Sequence, residues 1–357
     1  MEINIKKDNM TKDERWVALL NRKPLDRIPV FAAAFGFTTV NSGLSIADFY
    51  NDPQKSYDAQ MRTADKFGFQ EIPWSVYAAF GGWEFGGEVK WPSGDFAQAP
   101  TVLKHPIETE EDVWNLKVPD VKKAGIVPIM MEINKLVAES DSPYIVGFYL
   151  GPFTMAGMMA SADKLTKWML KKPEVAHRVL RLATDFLTEL TKYYVNTFGA
   201  ERIIAFGGEP LTSNQVISPK QFEQFALPYL KELHESILAM GIKHLNMHIC
   251  GEQNQNLPYW SQIPYGDPGM ASLGHEVDLE TASKYFPDTI IAGNVEPAII
   301  QTGTQEQVYE ATKKCIEKGR KHPAGYMLQP GCELPPMAPE ENVWAMMQAV
   351  SDFGWYE

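Results

Sequence analysis

The sequence is poor in cysteine, in long apolar runs and in positive charge, and each shortage excludes a class of protein. Three cysteines in 357 residues are too few for a disulfide framework. Each thiol is therefore expected to be a buried hydrophobe, a metal ligand or a nucleophile. No apolar run approaches the roughly 20 residues that a membrane helix needs. The polar residues 1–16 lack the apolar core of a signal peptide, so we expect a cytoplasmic protein that does not bind membranes.

The excess of acidic residues disfavours polyanionic partners. The chain has 45 acidic and 33 basic residues, which gives a formal net charge of −12. Nucleic-acid binding needs a basic stripe that displaces counterions, so no nucleic-acid partner is expected. The most basic stretch, 313–321, is interpreted as the polar face and end of a helix.

Short β-like runs alternate with longer amphipathic stretches along the chain. Eight strands are predicted, at 28–34, 70–77, 144–150, 202–206, 243–250, 270–273, 289–292 and 325–329. Apolar residues recur at helical spacing in 173–194 and 219–240, and Ser218 and Pro219 are a typical N-cap and first helical residue. Eight strand–helix units without a linker favour a single α/β domain over 1–357, a (β/α)8 TIM barrel.

Three segments are additional to the eight strand–helix units of a minimal barrel. An N-terminal extension precedes the first predicted strand. Residues 78–105 are rich in glycine and tryptophan and predict a hairpin-like insertion. Residues 251–268 form a long polar and aromatic loop after the fifth strand. Loops that follow the strands of a barrel form its active face, so this loop is expected to border a site.

Two cysteines and a histidine fall at predicted strand ends. Side chains alternate along a strand, so His248 and Cys250 point to the same side, about 6–7 Å apart. Cys332 follows the eighth predicted strand. Imidazole and thiolate are donors that zinc prefers, and three protein ligands leave one position open, as in catalytic zinc sites. Free cysteines are also common in protein cores, so spacing alone leaves plain packing open. Cys315 lies in a helical stretch and is interpreted as packing.

Further motifs are spread over nearly the whole chain: MTKDER at 10–15, DRIPV at 26–30, GFYLGPFTMA at 147–156, residues 199–209, ISPKQF at 217–222, GNVEP at 293–297 and PEENV at 339–343. With these segments the sequence resembles the uroporphyrinogen decarboxylase superfamily, and within it the cobalamin-linked zinc methyltransferases of the methylcobamide:coenzyme M type.

The resemblance implies a TIM barrel that holds Zn²⁺. The zinc motif of the methyltransferase branch, His-x-Cys followed at a distance by Cys, is matched by His248, Cys250 and Cys332. The implied activity is methyl transfer between a corrinoid and a small methyl donor or acceptor, with a thiol activated by the zinc. No cobalamin-binding Asp-x-His-x-x-Gly motif occurs in the chain. The corrinoid is therefore expected as methylcobalamin or on a partner corrinoid protein.

Two other activities remain open from the sequence. One is decarboxylation of uroporphyrinogen type, but the arginine-rich element that the decarboxylases carry after strand one is AAAFGFTT here, at 32–39. The other is corrinoid-dependent demethylation of a small methoxy, methylthio or methylamine compound. The direction of transfer is open as well.

Two polar residues are candidate catalytic groups. Glu209, at the end of the fourth predicted strand, is interpreted as a fourth zinc ligand, as a hydrogen-bond acceptor for His248 or as a loop-ordering carboxylate. Asn246 shares a strand face with His248 and either orients substrate or satisfies a core position.

Overall fold

A computed structural model describes residues 1–77, 79–93 and 99–356, which fold into helices around a parallel sheet. The strands are β1 (Glu88–Lys90), β2 (Thr101–Lys104), β3 (Ile145–Leu150), β4 (Ile203–Gly208), β5 (His244–Ile249), β6 (Met270–Leu273), β7 (Ile290–Ala292) and β8 (Tyr326–Met327). The helices are α1 (Lys12–Leu20), α2 (Phe35–Ser42), α3 (Ile46–Asn51), α4 (Pro53–Phe67), α5 (Glu110–Asn115), α6 (Val127–Glu139), α7 (Pro152–Ala160), α8 (Ala162–Lys171), α9 (Pro173–Phe198), α10 (Pro219–Gln221), α11 (Leu227–Ala239), α12 (Leu257–Trp260), α13 (Leu279–Tyr285), α14 (Pro297–Thr302), α15 (Gln305–Gly319) and α16 (Glu340–Phe353). In these described residues no helix is both long enough and apolar enough to cross a bilayer.

The sheet consists of β3 to β8 in chain order, each strand parallel to its neighbours. These strands are the third to eighth that the sequence predicts, so that part of the prediction is confirmed. The strands are almost wholly buried, as expected for a parallel sheet covered by helices. The register places His248 on β5 opposite Gly208 on β4 and Ser272 on β6. The carboxyl ends of the three strands therefore meet at one edge.

The first predicted strand, 28–34, is wrong as a regular strand, although part of it pairs with the sheet. Val30 forms a parallel bridge with Leu328, and the Phe31 amide donates to the Leu328 carbonyl oxygen (3.0 Å). The pairing stops there because Ala33 has a φ of 45°, which turns the backbone out of the extended region. This turn points the following residues toward the start of α2.

The second predicted strand, 70–77, is also wrong as a regular strand, because the segment joins no ladder. The Gln70 amide donates to the Val30 carbonyl oxygen (2.5 Å), so the segment lies beside the first one. The Gln70 carbonyl oxygen accepts from the Trp16 indole (2.5 Å) instead of from a neighbouring strand. At the adjacent edge of the sheet, the Asn134 side chain donates to a carbonyl oxygen of β3 (3.1 Å). Side chains thus satisfy backbone groups that a ladder would otherwise pair.

The predicted insertion contains an antiparallel hairpin. Strands β1 and β2 pair Val89 with Val102, which confirms the hairpin within 78–105. Residues 78 and 94–98 of that range lie outside the described residues. The predicted helix start at Ser218 is confirmed as well: its hydroxyl accepts from the Gln221 amide (3.3 Å), and the Gln221 side chain accepts in return from the Ser218 amide.

A buried ion pair joins the N-terminal helix to the segment that leads into the barrel. The fully buried Arg15 of α1 donates from Nε and Nη2 to both carboxylate oxygens of Asp26, each at 2.8 Å. Asp8 Oδ2 forms an ion pair with the same guanidinium at 3.0 Å, and Gln70 Oε1 accepts from it at 3.2 Å. Burial opposes ionisation of Asp26, but the Arg15 hydrogen bonds and the Met10 amide outweigh it and lower its pKa to about 2.

We expect Asp26→Asn to destabilise the protein by about 3 kcal/mol at pH 7, because Arg15 would keep its charge while losing its bidentate partner. A carboxylate with a lowered pKa stabilises the fold above its unfolded-state pKa and loses that contribution as the pH falls. The cost of the substitution should therefore shrink between pH 4 and pH 2, because the pKa of Asp26 is about 2 in the fold and 3.8 as the ordinary value. Urea unfolding across this pH range measures it.

Asp65→Asn is the matched control, because Asp65 pairs with Lys12 at the surface and is 63% exposed. Its expected cost is below about 1 kcal/mol at every pH. Equal costs for the two variants at pH 7 would contradict the assigned role of the Arg15–Asp26 pair.

Candidate metal centre

The end of β5 presents two of the three predicted metal ligands. His248 lies in β5, and Cys250 follows the last strand residue, Ile249. Gly251 then turns the chain with a φ of 75°, a conformation that glycine adopts without strain. The backbone therefore leaves the strand directly after the second ligand. Both side chains lie at the carboxyl edge of the sheet, where the active sites of such barrels are found.

The third ligand arrives on the loop after β8. Gly331 donates its amide to the Val295 carbonyl oxygen (2.7 Å), which fixes the loop against the segment after β7. A Cβ on Gly331 would lie 2.7 Å from the His275 backbone nitrogen, so only glycine allows this approach. The tight packing at Gly331 sets the position of Cys332.

The structure brings the three predicted ligands together. The ligand atoms of His248, Cys250 and Cys332 all lie within 4.8 Å of one another, and the two sulfurs are 3.9 Å apart. Residues 82 positions apart in the chain thus converge because β5 and β8 end on the same edge. Of the histidine, cysteine and acidic side chains that the structure describes, no other joins this group.

A hydrogen-bonded relay orients the His248 ring. The Ser272 hydroxyl donates to Gln329 Oε1 (2.5 Å), so its oxygen is left to accept from His248 Nδ1 (2.9 Å). The ring therefore carries its proton on Nδ1 and keeps a lone pair on Nε2. That Nε2 atom is buried and has no hydrogen-bond partner. A metal ion next to the two sulfurs would satisfy it, and a relay of this kind is typical of histidine ligands.

The two thiols influence each other's ionisation. A hydrogen bond from Cys250 lowers the pKa of Cys332 well below its usual value, against the effect of burial and with help from the nearby His248 ring. The same hydrogen bond and burial raise the pKa of Cys250. A cation next to both sulfurs would favour the thiolate form of each, because it would replace the proton that they share. The donor set of one nitrogen and two sulfurs fits a soft or borderline divalent cation.

A cavity of about 310 Å³ opens in front of the three ligands. Trp74 forms the centre of an aromatic wall: its ring lies 4.7 Å from Phe35, 4.8 Å from Phe206 and 5.5 Å from Phe148, measured between centroids. The arginine-free stretch 32–39 contributes Ala32, Ala33 and Phe35 to this lining. A ligand on the open side of the metal position would therefore meet mainly apolar surface.

Glu209 faces away from the three ligands. Its carboxylate accepts from the amides of Phe153 (3.2 Å) and Thr154 (2.6 Å) at the first turn of α7, and also from the Thr154 hydroxyl. It is fully buried, and burial raises its pKa to about 7 against these hydrogen bonds. The His248 ring bonds to Ser272 rather than to this carboxylate. The backbone amide of Glu209 nevertheless donates to the His248 carbonyl oxygen (3.2 Å). The arrangement corresponds to the loop-ordering interpretation.

Asn246 lies deeper in the barrel. It is 2% exposed and sits two residues before His248 on β5. Its Oδ1 is buried without a hydrogen-bond partner, and the residue is not part of the cavity lining. The structure therefore places it in a layer below the three ligands. A direct contact with substrate, one of its two interpretations, gains no support from this position.

The sequence reasoning missed Ser272, Gln329 and Glu333. Ser272 is the one hydroxyl-bearing residue of β6, and Gln329 closes the predicted eighth strand, so a polar residue at a strand end was the available signal. Glu333 lines the cavity and accepts from the Gly36 amide (3.0 Å). Burial raises the pKa of Glu333 to about 7.

Comparisons with known proteins agree with this architecture. Methylcobamide:CoM methyltransferase MtbA of Methanosarcina acetivorans is 29% identical over 355 residues, which cover 96% of this chain and 98% of the relative. A uroporphyrinogen decarboxylase of Anaeromyxobacter sp. strain Fw109-5 is 23% identical and covers 96% of this chain and 99% of its own. A solved methyltransferase from Methanosarcina mazei superposes with a TM-score of 0.81 at 22% identity, over 97% of this chain and 99% of the other.

The structural likeness confirms the predicted barrel fold, with six of its strands forming the continuous ladder described above. The sequence profile of the uroporphyrinogen decarboxylase (URO-D) family matches residues 11–353, nearly the entire chain. The profile thus includes α1, the sheet, and the loops that carry all three metal-ligand candidates. This chain is a member of the URO-D family.

Proposed function

We propose that this methyltransferase holds Zn²⁺ on His248, Cys250 and Cys332 and moves a methyl group between a corrinoid and a small thiol. The observation that carries the proposal is the unpartnered, buried Nε2 of His248 beside two sulfurs that are 3.9 Å apart. A site with one nitrogen and two sulfur ligands keeps a fourth position for substrate. Relatives named as methylcobamide:CoM methyltransferases support the reaction class.

The residues of the chain prepare the site for this chemistry. Bound zinc would supply positive charge that favours the deprotonated form of a thiol substrate near neutral pH. Ser272 and Gln329 hold the His248 ring so that Nε2 points at the metal position. The aromatic walls around Trp74 exclude water, which preserves the nucleophilicity of the sulfur.

The corrinoid is a co-substrate that binds at the mouth of the cavity and not inside it. A corrin macrocycle with its side chains is far larger than a cavity of about 310 Å³. We therefore place it at the mouth, carried by a partner corrinoid protein or free as methylcobalamin. In the direction of thiol methylation, the carbon–cobalt bond breaks with its electron pair left on cobalt, a carbon–sulfur bond forms and the thiol proton is released.

Porphyrinogen decarboxylation is the weaker alternative. A substrate with several carboxylates needs cationic groups in its binding site. The stretch 32–39 contains none, and the described lining of the cavity contains no lysine or arginine. These features favour methyl transfer over decarboxylation for this member of the family.

We expect Cys332→Ala to lose both bound zinc and methyl transfer, because one of the three ligands is removed. Metal analysis of purified protein and a methylcobalamin assay with a thiol acceptor measure the two effects. Cys315→Ala is the control, since Cys315 lies on α15 with its sulfur 3.9 Å from Asn294 and outside the ligand group. Full zinc content or full activity in Cys332→Ala would refute the proposed centre.

We expect Ser272→Ala to weaken zinc binding about 10- to 100-fold, because the His248 ring would lose the partner that fixes its tautomer. Competition with a chromophoric chelator gives the affinity. The matched control is Ser283→Ala, which removes a serine–histidine hydrogen bond of 2.7 Å to His322. Equal zinc affinities for the two variants would contradict the relay.

We expect Glu209→Gln to keep its zinc while losing about 1–3 kcal/mol of stability, because an amide cannot accept all the donors at the start of α7. Zinc content and urea unfolding separate a loop-ordering role of Glu209 from a role as metal ligand. A variant of wild-type stability that has lost its zinc would instead identify Glu209 as a metal ligand.

A further inference from the structure

The cavity in front of the metal ligands contains no fixed positive charge. In the described residues its lining includes neither lysine nor arginine, and residues 78, 94–98 and 357 include neither by sequence. The walls are instead mostly aromatic and aliphatic, formed by Phe31, Phe35, Trp74, Val76, Phe148 and Phe206. A negatively charged group on a ligand would lose its hydration here without gaining a cationic partner.

The acidic residue of the lining adds no positive charge that an anionic ligand could use. Glu333 borders the cavity, and its Oε1 accepts from the Gly36 amide (3.0 Å) in the first turn of α2. The N-terminus of α2 has no side-chain cap of its own, so this carboxylate satisfies it. Because Glu333 already has a partner in the protein, it does not require a cation from the ligand. In either protonation state it supplies no positive charge to an anionic ligand.

Besides the Nε2 of His248 described above, two buried donors of the lining have no hydrogen-bond partner, Trp74 Nε1 and Gln329 Nε2. Gln329 is 4% exposed, and its Nε2 is buried without a hydrogen-bond acceptor, while its Oε1 serves Ser272. Each unpaired donor favours a ligand that carries an acceptor, such as an ether, carbonyl or hydroxyl oxygen, whereas one or two neutral donors do not replace the hydration of an anion. The cavity volume of about 310 Å³ suits a molecule built on one aromatic ring with short substituents.

We propose that the substrate of this site is uncharged apart from its reacting group and has an apolar, ring-sized body, so that anionic thiols such as coenzyme M, a sulfonate, are disfavoured. The proposal rests on the methyl transfer argued above and adds the substrate class. It separates this chain from relatives named for coenzyme M. Because the lining offers no cationic partner, aromatic contacts with Trp74 and Phe206 supply the binding free energy.

A series of aromatic thiols tests the proposal. Its members differ mainly in the charge of the substituent on the far side of the ring from the thiol. The series is 4-methylphenylmethanethiol (neutral), 4-(mercaptomethyl)benzoate (anionic) and [4-(mercaptomethyl)phenyl]trimethylammonium (cationic), with coenzyme M alongside. Each thiol is assayed with the zinc-loaded full-length protein in two ways: by calorimetric binding and by methyl transfer from methylcobalamin. We expect the neutral thiol to bind at least about tenfold more tightly than the anionic one, with a matching preference in transfer.

Equal or tighter binding of the anionic thiol or of coenzyme M would overturn the proposal. A preference for the trimethylammonium compound would overturn it in favour of an aromatic cage for cations. If no thiol accepts a methyl group, the proposed function fails, but the binding series still decides the charge preference.

Val76→Lys provides an independent test, because Val76 lines the cavity and is 8% exposed. The added ammonium should raise the affinity for the benzoate relative to the neutral thiol by at least about tenfold, the value of one charged partner. Val76→Met fills similar space without charge and should leave the ratio as in the wild type. An unchanged ratio in a folded Val76→Lys protein would argue that remote charge does not enter this cavity.

Discussion

The hydrogen-bonded relay from Gln329 through Ser272 to His248 is the constraint on which the site depends. It crosses three strands, since Gln329 follows β8, Ser272 lies on β6 and His248 on β5. One hydroxyl proton decides the arrangement: because Ser272 gives it to Gln329, the histidine must donate from Nδ1 and present its Nε2 lone pair to the sulfurs. The protein's own hydrogen bonds therefore set the ring position and its tautomer, which reduces the cost of forming the centre.

At the same edge of the barrel, the three polar ligand residues lie next to the apolar cavity. The sulfurs and Nε2 provide strong donors at one end, and the rings around Trp74 provide a dry wall at the other. Electrostatic effects are larger in such surroundings than in water, so a cation on the three ligands would act strongly on a sulfur beside it. The absence of lysine and arginine from the described lining then leaves shape and aromatic contact as the means of selecting the rest of the substrate.

The N-terminal part of the chain was the least predictable from sequence. Most strands from β3 to β8 are short apolar runs, whereas β5 alternates polar and apolar residues, and both patterns predict a strand. The segments 28–34 and 70–77 have similar composition, yet the φ of 45° at Ala33 and the Trp16 indole on the Gln70 carbonyl oxygen prevent regular ladders. The indole contact joins residues 54 positions apart, so a local pattern does not contain it.

The sequence by itself determined the fold class, the family resemblance, and the three residues with the chemistry of a zinc site. It could do so because strand periodicity and ligand type are local properties that a pattern records. The tertiary structure decided that the atoms of His248, Cys250 and Cys332 lie within 4.8 Å of one another. It also turned Glu209 toward α7 and supplied Ser272 as the partner of His248. These outcomes depend on strand register and on which loops meet at the barrel edge, which only the packed chain defines.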